Sequence, residues 1–129
     1  YISHFTFVFW YNVIKKKCLT QITVDINGRV GETVTIRCSF WPFITENVKY
    51  LCASPCTEDK HVIIKAGHEK IIRKDRIKLF NNGEVLSVTF TDLQKSDAGK
   101  YYCGVERVED AYIEVNVNVK DGWFYDEHD

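Results

Sequence analysis

The sequence predicts an all-β protein folded as an antiparallel β-sandwich, and three observations lead there. Apolar and polar residues alternate in short runs, as strands with one buried face require. Turn signals built on glycine and asparagine separate those runs. No segment carries a helical period longer than a single turn, and cysteines fall within strands far apart in the chain, which favours two packed sheets over a barrel.

Residues 33–40 (TVTIRCSF) are the first strand, with Val34, Ile36 and Cys38 on one face and Thr33, Thr35 and Arg37 on the other. Residues 47–53 (NVKYLCA), 61–66 (HVIIKA) and 75–80 (DRIKLF) follow, then 84–91 (EVLSVTFT), 100–106 (KYYCGVE) and 111–119 (AYIEVNVNV). Each is rich in β-branched and aromatic residues with a period of two. Asn27-Gly28, Asn82-Gly83 and Asp97-Ala98-Gly99 mark turns, and only 91–99 (TDLQKSDAG) has room for a helical turn.

The chain has 129 residues, enough for one domain, and its formal net charge of −1 excludes a general nucleic-acid binder, which would carry a strong basic excess. Five cysteines, Cys18, Cys38, Cys52, Cys56 and Cys103, are many for a short chain, and none of them forms a CxxC. Two disulfides plus one spare thiol account for the odd count and place the chain in an oxidising, extracellular compartment.

In DAGKYYC (97–103), Tyr101 stands two residues before Cys103, the tyrosine-corner spacing of immunoglobulin sandwiches. Cys38 lies 65 residues earlier, leaving room for two extra strands between the sheets. Over about residues 22–119 the chain therefore resembles an immunoglobulin V-type domain, an antiparallel Greek-key sandwich. The resemblance implies a Cys38–Cys103 bridge, worth about 4 kcal/mol by loop closure. It also implies an ion pair between Arg76 and Asp97 at the bottom of the sandwich. Leu51 occupies the position of the usual core tryptophan, so packing on the bridge falls to Phe40 or Phe90.

The finer match is to the polymeric immunoglobulin receptor-like group. This group includes the CMRF-type leukocyte mono-immunoglobulin receptors, the myeloid triggering receptors and the fish novel immune-type and immunoglobulin-like transcript families. KYLC (49–52) with the following Cys56, DRIKLF (75–80) and DAGKYYCGV (97–105) carry it. It implies a second bridge, Cys52–Cys56, tying the strand of Cys52 to the next strand, and it leaves Cys18 as the spare thiol, free or linked to another chain. Leu51 should point inward and Cys52 outward; closing so short a loop contributes about 2 kcal/mol. The clip either stiffens a recognition face or only stabilises a hairpin. The last strand lacks the FGxG bulge with which antigen-receptor domains pair, so a monomeric ectodomain is expected.

Catalysis needs a nucleophile, a base and an orienting group, and no such set is visible, so no enzyme and no cofactor are expected. His4, His61, His68 and His128 fall in no motif, and a Cys52, Cys56, His61 zinc site lacks a fourth ligand. Between 60 and 78 lie Lys60, Lys65, Lys70, Arg73, Lys74, Arg76 and Lys78, against only Glu69 and Asp75. Such a basic edge either attracts an anionic partner or protects exposed edge strands from pairing. The region of Glu106, Glu109, Asp110 and Glu114 is acidic. By resemblance, Glu106, Glu109 and Asp110 are candidates for ligand binding, with Glu109 and Asp110 the candidate Ca2+ site. In WPFITE (41–46), Trp41, Phe43 and Ile44 either anchor in a partner or bilayer, or pack over the end of the sandwich.

Three segments follow: an atypical apolar and basic stretch at 1–18, the V-type domain at 19–119, and an acidic stalk or tail start at 120–129. The largely apolar ten-residue stretch 5–14 is too short to span a bilayer, and there is no N-x-S/T sequon. The expected function is ligand recognition by the single V domain of an innate immune cell-surface receptor. The expected location is the extracellular side of the plasma membrane, with the intact protein membrane-anchored, or else secretion. A lipid headgroup or other anionic ligand is the leading partner. The alternatives are a protein ligand, immunoglobulin or another cell-surface protein, and homophilic adhesion.

Overall fold

The computed structural model describes residues 23–39 and 45–122. Cys18, Phe40, Trp41, Phe43, Ile44, the segment 1–18 and most of the tail therefore lie outside the described residues. The chain forms nine strands in order: β1 (Thr23–Arg29), β2 (Val34–Cys38), β3 (Lys49–Ala53), β4 (Val62–Ala66), β5 (Lys70–Lys74), β6 (Ile77–Asn81), β7 (Leu86–Phe90), β8 (Gly99–Val105) and β9 (Ala111–Lys120). Single 3-10 turns at Asp59–His61 and Lys95–Asp97 are the only helical pieces among the described residues.

Two sheets pack face to face. One has the order β1-β9-β8-β3-β4 and the other β2-β7-β6-β5. All pairings are antiparallel except β1, which runs parallel to β9 from Thr23↔Glu114 to Arg29↔Lys120. β4 and β5 are the two extra strands of the V-type sandwich, one on the edge of each sheet.

Asn27-Gly28, a turn by sequence, lies inside β1. Gly28 is there because β1 presses close: a Cβ on it would stand 2.6 Å from Leu93 and 3.0 Å from Val34. The reversal comes later, at Gly31 (φ 93°), where the Glu32 amide returns to the Arg29 carbonyl. Asn82-Gly83 does turn β6 into β7, with the Val85 amide donating to Asn82 Oδ1 at 2.8 Å.

The core is made by the inward positions of both sheets, among them Ile36, Leu51, Leu79, Val88, Phe90, Val105 and Val115. Leu51 is fully buried beside the Cys38–Cys103 bridge, whose Cα atoms lie 6.5 Å apart. Leu86, not Phe90, stands across the sheet from Cys38; Phe90 pairs with Val34 toward the other end of the strand and lies edge-on to Tyr101 at 5.7 Å.

Period-two alternation puts Lys49 on the same inward face as Leu51, and its side chain is buried at the end of the sandwich. It stays there because Asn81, inward on β6, accepts from its Nζ at 3.0 Å, while the carbonyls of Thr45 and Asn47 stand at 3.3 and 3.4 Å. The Asn81 amide in turn donates to Asn47 and Ala66 carbonyls and accepts from the Gly83 amide, so each hydrogen-bonding group of that side chain is used. Burial lowers the affinity of Lys49 for its proton.

At the opposite end the Tyr101 hydroxyl donates to the Asp97 carbonyl at 2.6 Å. Arg76, in the turn before β6, grips both carboxylate oxygens of Asp97 at 2.8 and 2.9 Å. The guanidinium holds the Asp97 carboxyl below its ordinary 3.8, helped by the Gln94 amide and opposed by burial. The sign follows from linkage: a carboxyl lowered in the folded state stabilises it above about pH 4, and loses that contribution as pH falls through the lowered value. Wild-type protein should therefore lose more stability than Asp97→Asn between pH 5 and pH 2, measured as urea midpoints. Equal losses would deny the pair that role.

Candidate recognition surface

The outer face of the five-stranded sheet follows from alternation in three adjacent strands. Where Leu51, Cys103 and Ile113 point inward, their neighbours point out. Tyr50 pairs with Gly104 and Gly104 with Tyr112, giving one cross-strand row; Cys52, Tyr102 and Glu114 form the next. Tyr50, Cys52, Cys56, Tyr102 and Tyr112 make a second apolar cluster, separate from the main core and largely buried. The tyrosines meet edge to face, Tyr50–Tyr112 at 6.3 Å and Tyr102–Tyr112 at 6.0 Å, the geometry favoured by their quadrupoles.

Gly104 makes this possible. Tyr50 lies flat across it, so a Cβ there would stand 2.4 Å from the ring. The hydroxyl of Tyr50 donates to Asp110 Oδ2 at 2.6 Å and lies 3.2 Å from the Tyr112 hydroxyl. Burial, then the bond to Asp110, pushes its ionisation far above the ordinary tyrosine value.

Cys52 bonds to Cys56, with Cα atoms 5.6 Å apart. The bridge does not tie β3 to β4, as the resemblance implied. Cys56 sits in the connection between them, where its amide returns to the Ala53 carbonyl at 2.9 Å. β4 begins only at Val62, past the 3-10 turn. The clip thus fastens the connection down onto the tyrosine cluster. Above it opens a hollow of about 120 Å³, walled by Tyr50, Cys56, Glu58, Asp59, Asp110 and Tyr112. His61 is engaged elsewhere: its Nδ1 accepts from the amides of Thr57 and Glu58, each at 3.1 Å. Together with the disulfide, this removes the zinc reading.

The loop 106–110 joins β8 to β9 and is braced at both ends. The Glu106 amide donates to the Val48 carbonyl at 2.9 Å, and Asn47 Nδ2 to the Glu106 carbonyl at 2.7 Å. The Glu106 carboxylate pairs with Lys65. The pair raises the lysine's pKa, and the ammonium sits 5.8 Å from the centre of the Tyr50 ring. Asp110 receives Tyr50 on one oxygen and the Arg107 amide on the other at 3.2 Å. Glu109 is half-buried. Glu106 and Asp110 are therefore engaged within the protein. Among the described residues no group of three or more His, Cys, Asp or Glu side chains is placed to hold a metal ion. What the loop offers to solvent is Arg107 and a fully exposed Val108.

A family profile described as immunoglobulin V-set domain matches residues 21–120. The chain belongs to the immunoglobulin V-set family. This V-set domain is similar to human CMRF35-like molecule 1, with 27% identity over 127 residues covering 92% of this chain and 42% of that one. It is similar also to mouse CMRF35-like molecule 9, with 31% identity over 107 residues covering 76% and 31%. The chain thus spans less than half the length of either relative. Among solved structures, the first immunoglobulin domain of the mouse polymeric immunoglobulin receptor superimposes with a TM-score of 0.59 at 19% identity, over 78% of this chain and 92% of that one, a likeness of fold.

Alternation alone put Cys52 outward and Leu51 inward. Tyr50, Gly104, Tyr112 and Asp110 were not brought together by sequence reasoning. The one available signal was the coincidence of outward tyrosines opposite a glycine in three strands, legible only once their register is known.

Proposed function

We propose that this V-set domain is the ligand-recognition module of an extracellular innate immune receptor, and that it recognises lipid headgroups through the loop 106–110. Similarity to the CMRF35-like molecules supports the receptor reading, and the two disulfides support an oxidising location. Recognition rather than chemistry is the role, and the rigid sandwich serves to present the loop.

The observation that carries the ligand reading is the loop's outward offer. Its carboxylates Glu106 and Asp110 are engaged by Lys65 and Tyr50, and beside them the cation Arg107 stands next to the apolar, fully exposed Val108. A cation next to an apolar tip matches a lipid phosphate above acyl chains. Because Asp110 is engaged by Tyr50 and Arg107, binding without calcium is expected. The test offers a labelled tetramer of the chain to phosphatidylcholine vesicles with and without phosphatidylserine, in calcium or in chelator. Val108→Asp should weaken binding about tenfold or more, since a valine side chain loses its burial. Val108 makes no fold contact to lose, so unchanged binding by the variant, or no vesicle binding at all, would overturn the lipid reading and turn the search to protein ligands.

A further inference from the structure

The outer face of the four-stranded sheet consists of two cross-strand rows fixed by register. Arg37, Ser87, Phe80 and Ile71 form one; Thr35, Thr89, Lys78 and Arg73 form the other. Neither row holds a carboxylate. Among the described residues, no carboxylate pairs with Arg37, Arg73 or Lys78. In a chain whose net charge is −1, this is a concentrated positive face.

Arg73 and Lys78 are direct cross-strand partners. Like charges so placed destabilise an antiparallel pair. Guarding an edge strand against strand addition is the ordinary reason for such lysines, and it does not account for this pattern. Lys78 sits on β6, an interior strand, while Ile71, on the edge strand β5 itself, is 52% exposed. Over the same face lies an open hollow of about 300 Å³, lined by Arg73, Arg76, Lys78, Thr33 and Thr89 and by one carboxylate, Asp75.

We infer that this face binds a sulfated polysaccharide chain. Arg73 and Lys78 would share a sulfate, which relieves their mutual repulsion, and threonine hydroxyls add neutral donors beside them. Ile71 and Phe80 give the C–H faces of the sugar rings an apolar strip to lie on. A bilayer fits less well: binding to its surface needs apolar side chains that project into the headgroup layer, whereas here the cations wall a hollow and Phe80 is half-buried. Disulfides place the chain where sulfated polysaccharide, not nucleic acid, is the linear polyanion at hand. The face belongs to the other sheet from the loop 106–110, so the inference stands independently of the lipid reading.

The test uses heparin oligosaccharides immobilised for surface plasmon resonance, with the whole chain as analyte. Wild-type protein should bind, with affinity falling as salt rises, and should ignore desulfated heparin. Arg73→Ala/Lys78→Ala should weaken binding about tenfold or more, because two charge-assisted contacts go, while Lys100→Ala on the other sheet should not. Lys78→Glu separates binding from folding. It sets opposite charges across the pair, so the melting temperature should rise by about 1–5 °C while binding falls. Absence of heparin binding by the folded protein near physiological salt, undiminished binding by the double variant, or binding to anionic vesicles alone would each overturn the inference.

Discussion

Asn81→Ala should destabilise the domain by about 3 kcal/mol, the larger share of it from a lysine left short of its acceptor. Asn81 is wholly buried and is bonded on both sides, to Lys49 and the Gly83 amide through its oxygen and to two carbonyls through its nitrogen. Removing it opens a polar gap at the end of the sandwich and takes from the buried ammonium the acceptor that stands 3.0 Å from it. Lys49→Met should cost less, about 1 kcal/mol, because it removes the charge and keeps most of the volume, while the Gly83 amide still serves the Asn81 oxygen. The double variant Lys49→Met/Asn81→Ala should then be more stable than the two single losses predict, because the uncompensated charge is gone. Urea titrations of the four proteins measure the coupling; strict additivity would mean that Lys49 does not depend on Asn81.

Gly104→Ala should cost about 2–3 kcal/mol, although it adds one methyl to a strand. The methyl would stand 2.4 and 2.6 Å from two ring carbons of Tyr50 and 2.8 Å from its hydroxyl oxygen. Backbone on both sides is held by the ladder, so the ring must swing away. That breaks the bond to Asp110 and loosens the end of the loop 106–110. The expected signature is twofold: a lower urea midpoint, and faster amide exchange in residues 106–110 than in β2 or β7. Tyr50→Ala/Gly104→Ala should lose less than the sum of the two single variants, since with the ring gone the methyl has room. Full additivity would show that Gly104 is required for some reason other than Tyr50.

The parts of the fold legible from sequence are those whose signal is local. Tyr101 two residues before Cys103, with Arg76 opening the strand that answers Asp97, located the corner at the bottom of the sandwich, and β2 to β4 and β6 to β9 were each marked by their own pattern. β1 was missed because its partner is β9, about ninety residues away, and its outward positions carry Asp25 and Asn27, which read as loop. β5 was missed because it is an exposed edge: KIIRK has no buried face to alternate with. Lys49 illustrates a different limit. A lysine in a strand reads as solvent-facing, and only Asn81, 32 residues on, makes the inward position tolerable. In the recognition surface, the clip at Cys52 and Cys56 was legible as a pair. The seat of Tyr50 on Gly104 under Asp110 depends on the register of three strands, and no single segment encodes it. The acidity of the loop was legible too, but not that Glu106 pairs with Lys65 and Asp110 accepts from Tyr50, because both partners lie on other strands.

β9 carries a mechanical consequence. It starts at Ala111, directly after the loop 106–110, and runs the length of the sandwich to Lys120, with β8 antiparallel on one side and β1 parallel on the other. A pull between a ligand gripped at that loop and the chain beyond Lys120 therefore acts along the strand's own axis. The load is carried by the covalent backbone of β9 itself, and the two flanking ladders hold that strand straight without bearing the pull. A domain strung this way transmits tension through its stiffest line, and the tyrosine corner and the Cys38–Cys103 bridge lie beside that line rather than in it.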